Sequence, residues 1–222
     1  MVLVKVATPR GGGDTQDYYG RTIPKPAKDP GTGSMQPLHL AARDGDTAKL
    51  AELLEALGSG DEAKQELERL AKSGWPPLIF AARHGHAEAI RLLTAAGASL
   101  TVVDSNGSTA LHRAAHGNSP SAIEALIDAG APLESIDRYG QTALHVAGAN
   151  GSLRAAKCLV ARGASPSARD GPLTDGMLPS EVASMFRETE TADYLKAALA
   201  QHQLDIKRAS MSSKKEAQGE LQ

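Results

Sequence analysis

The stretch Thr109-Ala110-Leu111-His112-Arg113-Ala114-Ala115 decides how this chain is read, because the chain repeats it. It returns downstream as Thr142-Ala143-Leu144-His145-Val146-Ala147-Gly148. Upstream it stands as Pro76-Pro77-Leu78-Ile79-Phe80-Ala81-Ala82 and as Gln36-Pro37-Leu38-His39-Leu40-Ala41-Ala42. Leu78, Leu111 and Leu144 recur every 33 residues, whereas Leu38 lies 40 before Leu78, so the first unit carries 7 additional residues. A second block keeps the same phase: Leu92-Leu93, Leu126-Ile127 and Leu159-Val160. Each is closed by a terminator, Ala96-Gly97-Ala98, Ala129-Gly130-Ala131 and Arg162-Gly163-Ala164. Self-similarity at a fixed period marks a repeat architecture.

Each unit reads as helix, tight turn, helix and a glycine-ended loop. Thr109 and Thr142 suit a helix N-cap, where a hydroxyl accepts a backbone N–H that the helix leaves free. Pro37 and Pro77 fall in the first turn, where the missing donor costs nothing. Gly97, Gly130 and Gly163 follow the second helix, where a left-handed residue is wanted. A lone helix pair cannot bury its apolar face, but stacked pairs make one continuous core.

This pattern resembles the ankyrin repeat, whose Thr-Pro-Leu-His-x-Ala box recurs at a period of 33. The resemblance covers roughly residues 35–199, and it implies an all-α solenoid of about five helix-turn-helix repeats with β-hairpin-like loops. The repeats are expected at about 35–72, 73–104, 105–137, 138–170 and 171–199. The last unit is degenerate, with Met177-Leu178-Pro179-Ser180-Glu181-Val182-Ala183 and then Thr191-Ala192-Asp193-Tyr194-Leu195, as a C-terminal cap should be. Three departures stand out. Gly117-Asn118 replaces the family's x-Gly turn, and Asn tolerates the left-handed region. Arg113 occupies a position held elsewhere by Leu40, Phe80 and Val146. The loop Asn of many ankyrin repeats is replaced by Thr101, Glu134 and Ser167, so modification of that Asn is not inferred here.

Three segments lie outside the regular repeats. Residues 1–34 are rich in Gly and Pro and read as an extended arm, in which Tyr18, Tyr19, Arg21 and Ile23 are the candidate anchors against a surface. Asp61–Lys72 reads as an additional helix, with Ala63, Leu67, Leu70 and Ala71 as one apolar stripe packed on the helix before it. Residues 200–222 read as a charged, solvated tail, and Lys207-Arg208-Ala209-Ser210 resembles a kinase site of the kind that arises often by chance.

Composition narrows the function. With 24 basic and 26 acidic side chains the net charge is −2, which offers no electrostatic footprint for nucleic acid or an anionic membrane. Only 3% of residues are aromatic, so alanine must carry much of the packing. No apolar run is long enough to insert in a membrane. The single cysteine, Cys158, has no partner for an internal disulfide and reads as a small core residue. The apolar start Met1–Ala7 is too short for a secretory signal, while the acid-poor run up to Asp14 resembles a transit peptide. An intracellular, cytoplasmic location is expected, with organelle import as the alternative.

No phosphate-cradling or nucleophile motif is present, and no cofactor is expected. His39, His112 and His145 recur at the repeat period, so they fall on different repeats and are expected to bond locally rather than converge on a metal. The chain is therefore expected to be non-catalytic. The ankyrin resemblance implies protein partners held by the hairpin tips and the concave face of the first helices. Carried onto this sequence, the partner-binding positions are Arg43, Asp44, Trp75, Arg83, His84, Asn106, Ser108, Arg113, His116, Tyr139, Gln141 and Asn150. Trp and Arg are the residue types that dominate interface energies. The mixed polarity of this set leads us to expect a partly acidic partner segment. An adaptor or scaffold for one client is the first reading. A structural subunit of a large assembly, anchored by residues 1–34, is the second.

Overall fold

A computed structural model describes residues 35–71, 73–171 and 176–219. The arm anchors Tyr18, Tyr19, Arg21 and Ile23 lie outside the described residues. Within those residues the chain forms helices alone: α1 (Pro37–Asp44), α2 (Thr47–Leu57), α3 (Asp61–Glu68), α4 (Pro77–His84), α5 (Ala87–Ala95), α6 (Ala110–His116), α7 (Pro120–Asp128), α8 (Ala143–Ala149), α9 (Leu153–Ala161), α10 (Pro179–Met185) and α11 (Thr189–Gly219). Helices α1, α4, α6, α8 and α10 pack in sequence as one layer, and α2, α5, α7, α9 and α11 as a second. This is the solenoid of five helix pairs that the period predicts, with α3 added in the first connection.

Alanine sets the spacing of the first layer. Ala41, Ala42, Ala81, Ala82, Ala114, Ala115 and Ala147 are buried where neighbouring helices meet, and Leu38, Leu78, Leu111 and Leu144 fill the space between layers. Small side chains let the axes approach closely enough for a two-layer core with few aromatic rings. In the fourth repeat even alanine does not fit. A Cβ on Gly148 would stand 2.6 Å from the carbonyl oxygen of Pro179 on α10.

The turn inside each pair needs one left-handed residue. Gly45, Gly85, Asn118, Gly151 and Arg187 supply it, with φ of 70°, 81°, 51°, 63° and 64°. Asn118 fits the turn as expected and does a second job. Its Oδ1 accepts the Ala155 N–H at 3.0 Å, capping α9 of the following repeat.

The threonine caps form as expected, whereas two helix ends differ. Thr109 and Thr142 close reciprocal caps, in which the hydroxyl faces the backbone N–H three residues on and the histidine there faces the threonine's N–H. Each hydroxyl lies 2.8–2.9 Å from the Nδ1 of that histidine, which also accepts the threonine's own N–H. A ring placed at the third helical position completes the cap. The additional helix ends at Glu68 rather than Lys72, because Arg69 turns extended and its carbonyl accepts from His39 Nε2 at 2.8 Å. Ala63, Leu67 and Ala71 are buried, but Leu70, off the helix, is 53% exposed. At the other end α11 does not stop near residue 199. It continues as a helix to Gly219, with Leu204, Ile206 and Met211 facing solvent.

Candidate partner-binding face

The loops between repeats are built on an aspartate. Asp104 Oδ1 accepts the N–H groups of Asn106 and Ser108 at 2.8 and 3.1 Å, and Asp137 Oδ1 accepts those of Tyr139 and Gln141 at 2.8 and 3.0 Å. Each carboxylate closes a tight turn that ends in a left-handed glycine, Gly107 or Gly140. Successive tips then bond to one another. Arg138 N–H donates to the Asn106 carbonyl at 3.0 Å, and Gly171 N–H to the Tyr139 carbonyl at 3.2 Å. The tips form a stacked edge beside the first layer of helices.

Histidines fasten that edge to the helices. His112 Nε2 lies 2.8 Å from the Gln141 carbonyl and His145 Nε2 3.0 Å from that of Met177, each in the next repeat. With Nδ1 accepting from threonine, Nε2 carries the proton and donates. Burial lowers the pKa of both rings, which favours this neutral form. His86 bonds the Arg43 carbonyl at 2.9 Å in the same cross-repeat manner. No three His, Cys, Asp or Glu side chains among the described residues come together to hold a metal. Cys158 is half-buried against the Pro120 carbonyl, and burial pushes its thiol up.

Between the tips and α6 and α8 lies a pocket of about 160 Å³. Seven of the expected partner-binding residues line it: Asn106, Ser108, Arg113, His116, Tyr139, Gln141 and Asn150. The remaining five lie toward the first repeats. Arg43 forms an ion pair with Asp44 at 2.7 Å, and that guanidinium holds the Asp44 carboxyl below its ordinary value. His84 is exposed on the last turn of α4 and stacks on His86 with ring centres 6.2 Å apart. Arg83 is half-buried on the same turn.

Two residues have internal partners that the sequence did not reveal. Trp75 is half-buried against Phe80, at 5.2 Å between ring centres, in a small cluster with Met35, Ala71 and Leu40. Arg113 binds the buried carboxylate of Asp104 through Nε at 2.7 Å and through Nη2, and its guanidinium lies 5.1 Å from the centre of the Trp75 ring. The charge that looked out of place is therefore matched within the chain. The aspartates were missed, although Asp104, Asp137 and Asp170 also recur every 33 residues, each ahead of a glycine.

Comparison with known proteins agrees with the architecture. Residues 21–104 and 93–170 match the family described as ankyrin repeats in 3 copies. The chain is also 33% identical over 73 residues to the NAD-capped RNA hydrolase NUDT12 of Homo sapiens, and equally to that of Pongo abelii and of Macaca fascicularis. That match takes in 33% of this chain and only 14% of the length of those relatives.

Proposed function

This chain belongs to the ankyrin-repeat family, and from that premise we propose that it is a non-catalytic adaptor or scaffold whose partner sits on the hairpin tips and the first-layer helices around the pocket. Ankyrin repeats generally mediate protein–protein interaction. The hydrolase activity in the relatives' name belongs to proteins of which the match spans 14%. The observation that carries the reading is the gathering of nine polar and charged side chains, seven of them expected as partner-binding, around one pocket. At about 160 Å³ the pocket is below the 300–1,000 Å³ of small-molecule sites, and it suits a side chain of a larger partner.

A photocrosslinking amino acid at Asn150, on the pocket, and at Glu124, exposed on α7 of the second layer, tests this. The expected result is one defined protein adduct from Asn150 and none from Glu124. Equal adducts from both faces, or none from Asn150, would refute the assignment of the binding face. The alternative, a subunit of a large assembly, rests on residues 1–34, which lie outside the described residues. Loss of a many-subunit set on truncation to 35–222, with the Asn150 adduct retained, would favour it.

A further inference from the structure

Two groups are neighbours here, His116 in the pocket lining and Arg83 just beyond it toward the first repeats. Asp104 is engaged by Arg113 and two backbone N–H groups, and Asp137 by two backbone N–H groups. Arg83 on α4 forms no ion pair among the described residues, although it is half-buried. The charge acting on it is a second cation, Arg113, and burial and that neighbour both work against its protonation. On α6, His116 lines the pocket with its Nδ1 buried and, apart from its own backbone, without a hydrogen-bond partner. The ends of the two helices are pressed together, since a Cβ on Gly117 would stand 2.5 Å from the Arg83 carbonyl oxygen. A half-buried guanidinium with no carboxylate of its own among the described residues, near a buried ring nitrogen, gains from an incoming anion.

We propose that Arg83 and His116 form a receptor for a single carboxylate of the partner polypeptide, an aspartate or glutamate side chain entering between the end of α4 and the His116 side of the pocket. The proposal deepens the docking reading above and rests on it. Arg113, its charge matched by Asp104, forms the wall. A guanidinium and a carboxylate are matched in shape as well as charge. A carboxylate also resolves the state of His116. In the free protein, burial first and then Arg83 and Arg113 hold its pKa below the ordinary value. An anion at Nδ1 reverses that bias, so binding takes up a proton. The charges acting on this ring are Arg83 from α4 and Arg113 from α6; Asp137 lines the same pocket from the tip, and α8 brings the neutral Val146 and Ala149, followed by Asn150. Proton uptake by the ring therefore sets the pH dependence.

The test titrates the full chain with the peptides acetyl-Gly-Glu-Gly-amide and acetyl-Gly-Gln-Gly-amide, following the His116 ring by NMR. A saturable shift is expected with the glutamyl peptide alone, tighter at about pH 6 than at about pH 8. Arg83→Gln should weaken it by roughly tenfold or more, and Arg83→Lys by less, since charge remains but the fork is lost. Equal shifts from both peptides, a response to inorganic phosphate but not to the glutamyl peptide, or unchanged binding in Arg83→Gln would overturn the site. If the Asn150 adduct forms while the glutamyl peptide has no effect, the carboxylate site fails and the docking face stands. If the peptide titrates His116 but no adduct forms from Asn150, the site stands and the docking reading fails.

Discussion

A buried histidine in this chain works at both ring edges. His112 Nδ1 accepts from the Thr109 N–H and hydroxyl, and Nε2 donates to the next repeat at Gln141. Removing the ring orphans three buried polar groups at once. His112→Ala is expected to destabilise by about 3 kcal/mol, since each buried unsatisfied group costs about 1–3 kcal/mol. Thr109→Val removes one hydroxyl and should cost about 1 kcal/mol. Urea unfolding midpoints of the two variants decide it, and equal losses would mean the cross-repeat bond contributes nothing. Arg113 presents a different case. Arg113→Met leaves the fully buried Asp104 side chain without its cation, so a loss of about 2–3 kcal/mol is expected. Much of that should return in the double variant Arg113→Met with Asp104→Asn, because the two residues act as one unit. Strict additivity of the single losses would sink this account. Arg83 is expected to behave in the opposite way, because no carboxylate holds it. Arg83→Met should leave the unfolding midpoint level or raised, and a clear drop would show that its charge serves the fold.

At the scale of elements, α8 shows where repetition stops being exact. Ala82 and Ala115 are matched by Gly148 in the fourth repeat. Alanine in a helix interior is better than glycine by about 1 kcal/mol. Here the added Cβ would meet the Pro179 carbonyl oxygen at 2.6 Å and crowd Ala183 and Leu195 at 3.5 Å. Backbone cannot yield as a side chain does, so Gly148→Ala is expected to lose about 1–3 kcal/mol despite its propensity. A thermal midpoint at or above that of the parent would show that α8 and α10 can separate freely. The helix pairs and four of the five left-handed turn positions were legible in the sequence, because Gly45, Gly85, Asn118 and Gly151 are residue types that favour such turns. Arg187 at the fifth was not, since nothing in an arginine signals a positive φ. The stripe Ala63-Leu67-Leu70 misplaced the end of α3 for a related reason. Periodicity reports the helical face, whereas the end was set by a carbonyl bond to a histidine 30 residues away. The site was legible to the same degree. Repeat phase placed seven residues on one pocket, but the internal partners of Trp75 and Arg113 depend on how neighbouring repeats stack.

At the scale of the whole molecule, burial acts on several histidines in the same sense. His39, His112 and His145 all have pKa values below the ordinary 6.5, with desolvation as the first cause. In each, the folded state resists a proton that the unfolded chain accepts. Between 6.5 and the lowered folded values the unfolded state therefore binds more protons, and stability rises with pH across that window. The contribution is complete above 6.5 and is lost as the pH falls toward the folded values. Asp137 works in the opposite sense, since burial raises its carboxyl from 3.8 and a raised acid gains stability as it protonates. The Asp44 carboxyl, held low by Arg43, loses its contribution only below 3.8. Three rings on three repeats, each bonded to a following segment, make the acid response a property of the stack. Unfolding free energy measured from about pH 8 to about pH 5 should be level at first and then fall below the ordinary histidine value. Replacing His112 by Gln should shallow that slope while lowering the plateau. A curve that stays level through the window, or rises toward acid, would mean that these rings take up protons in the folded chain without strain.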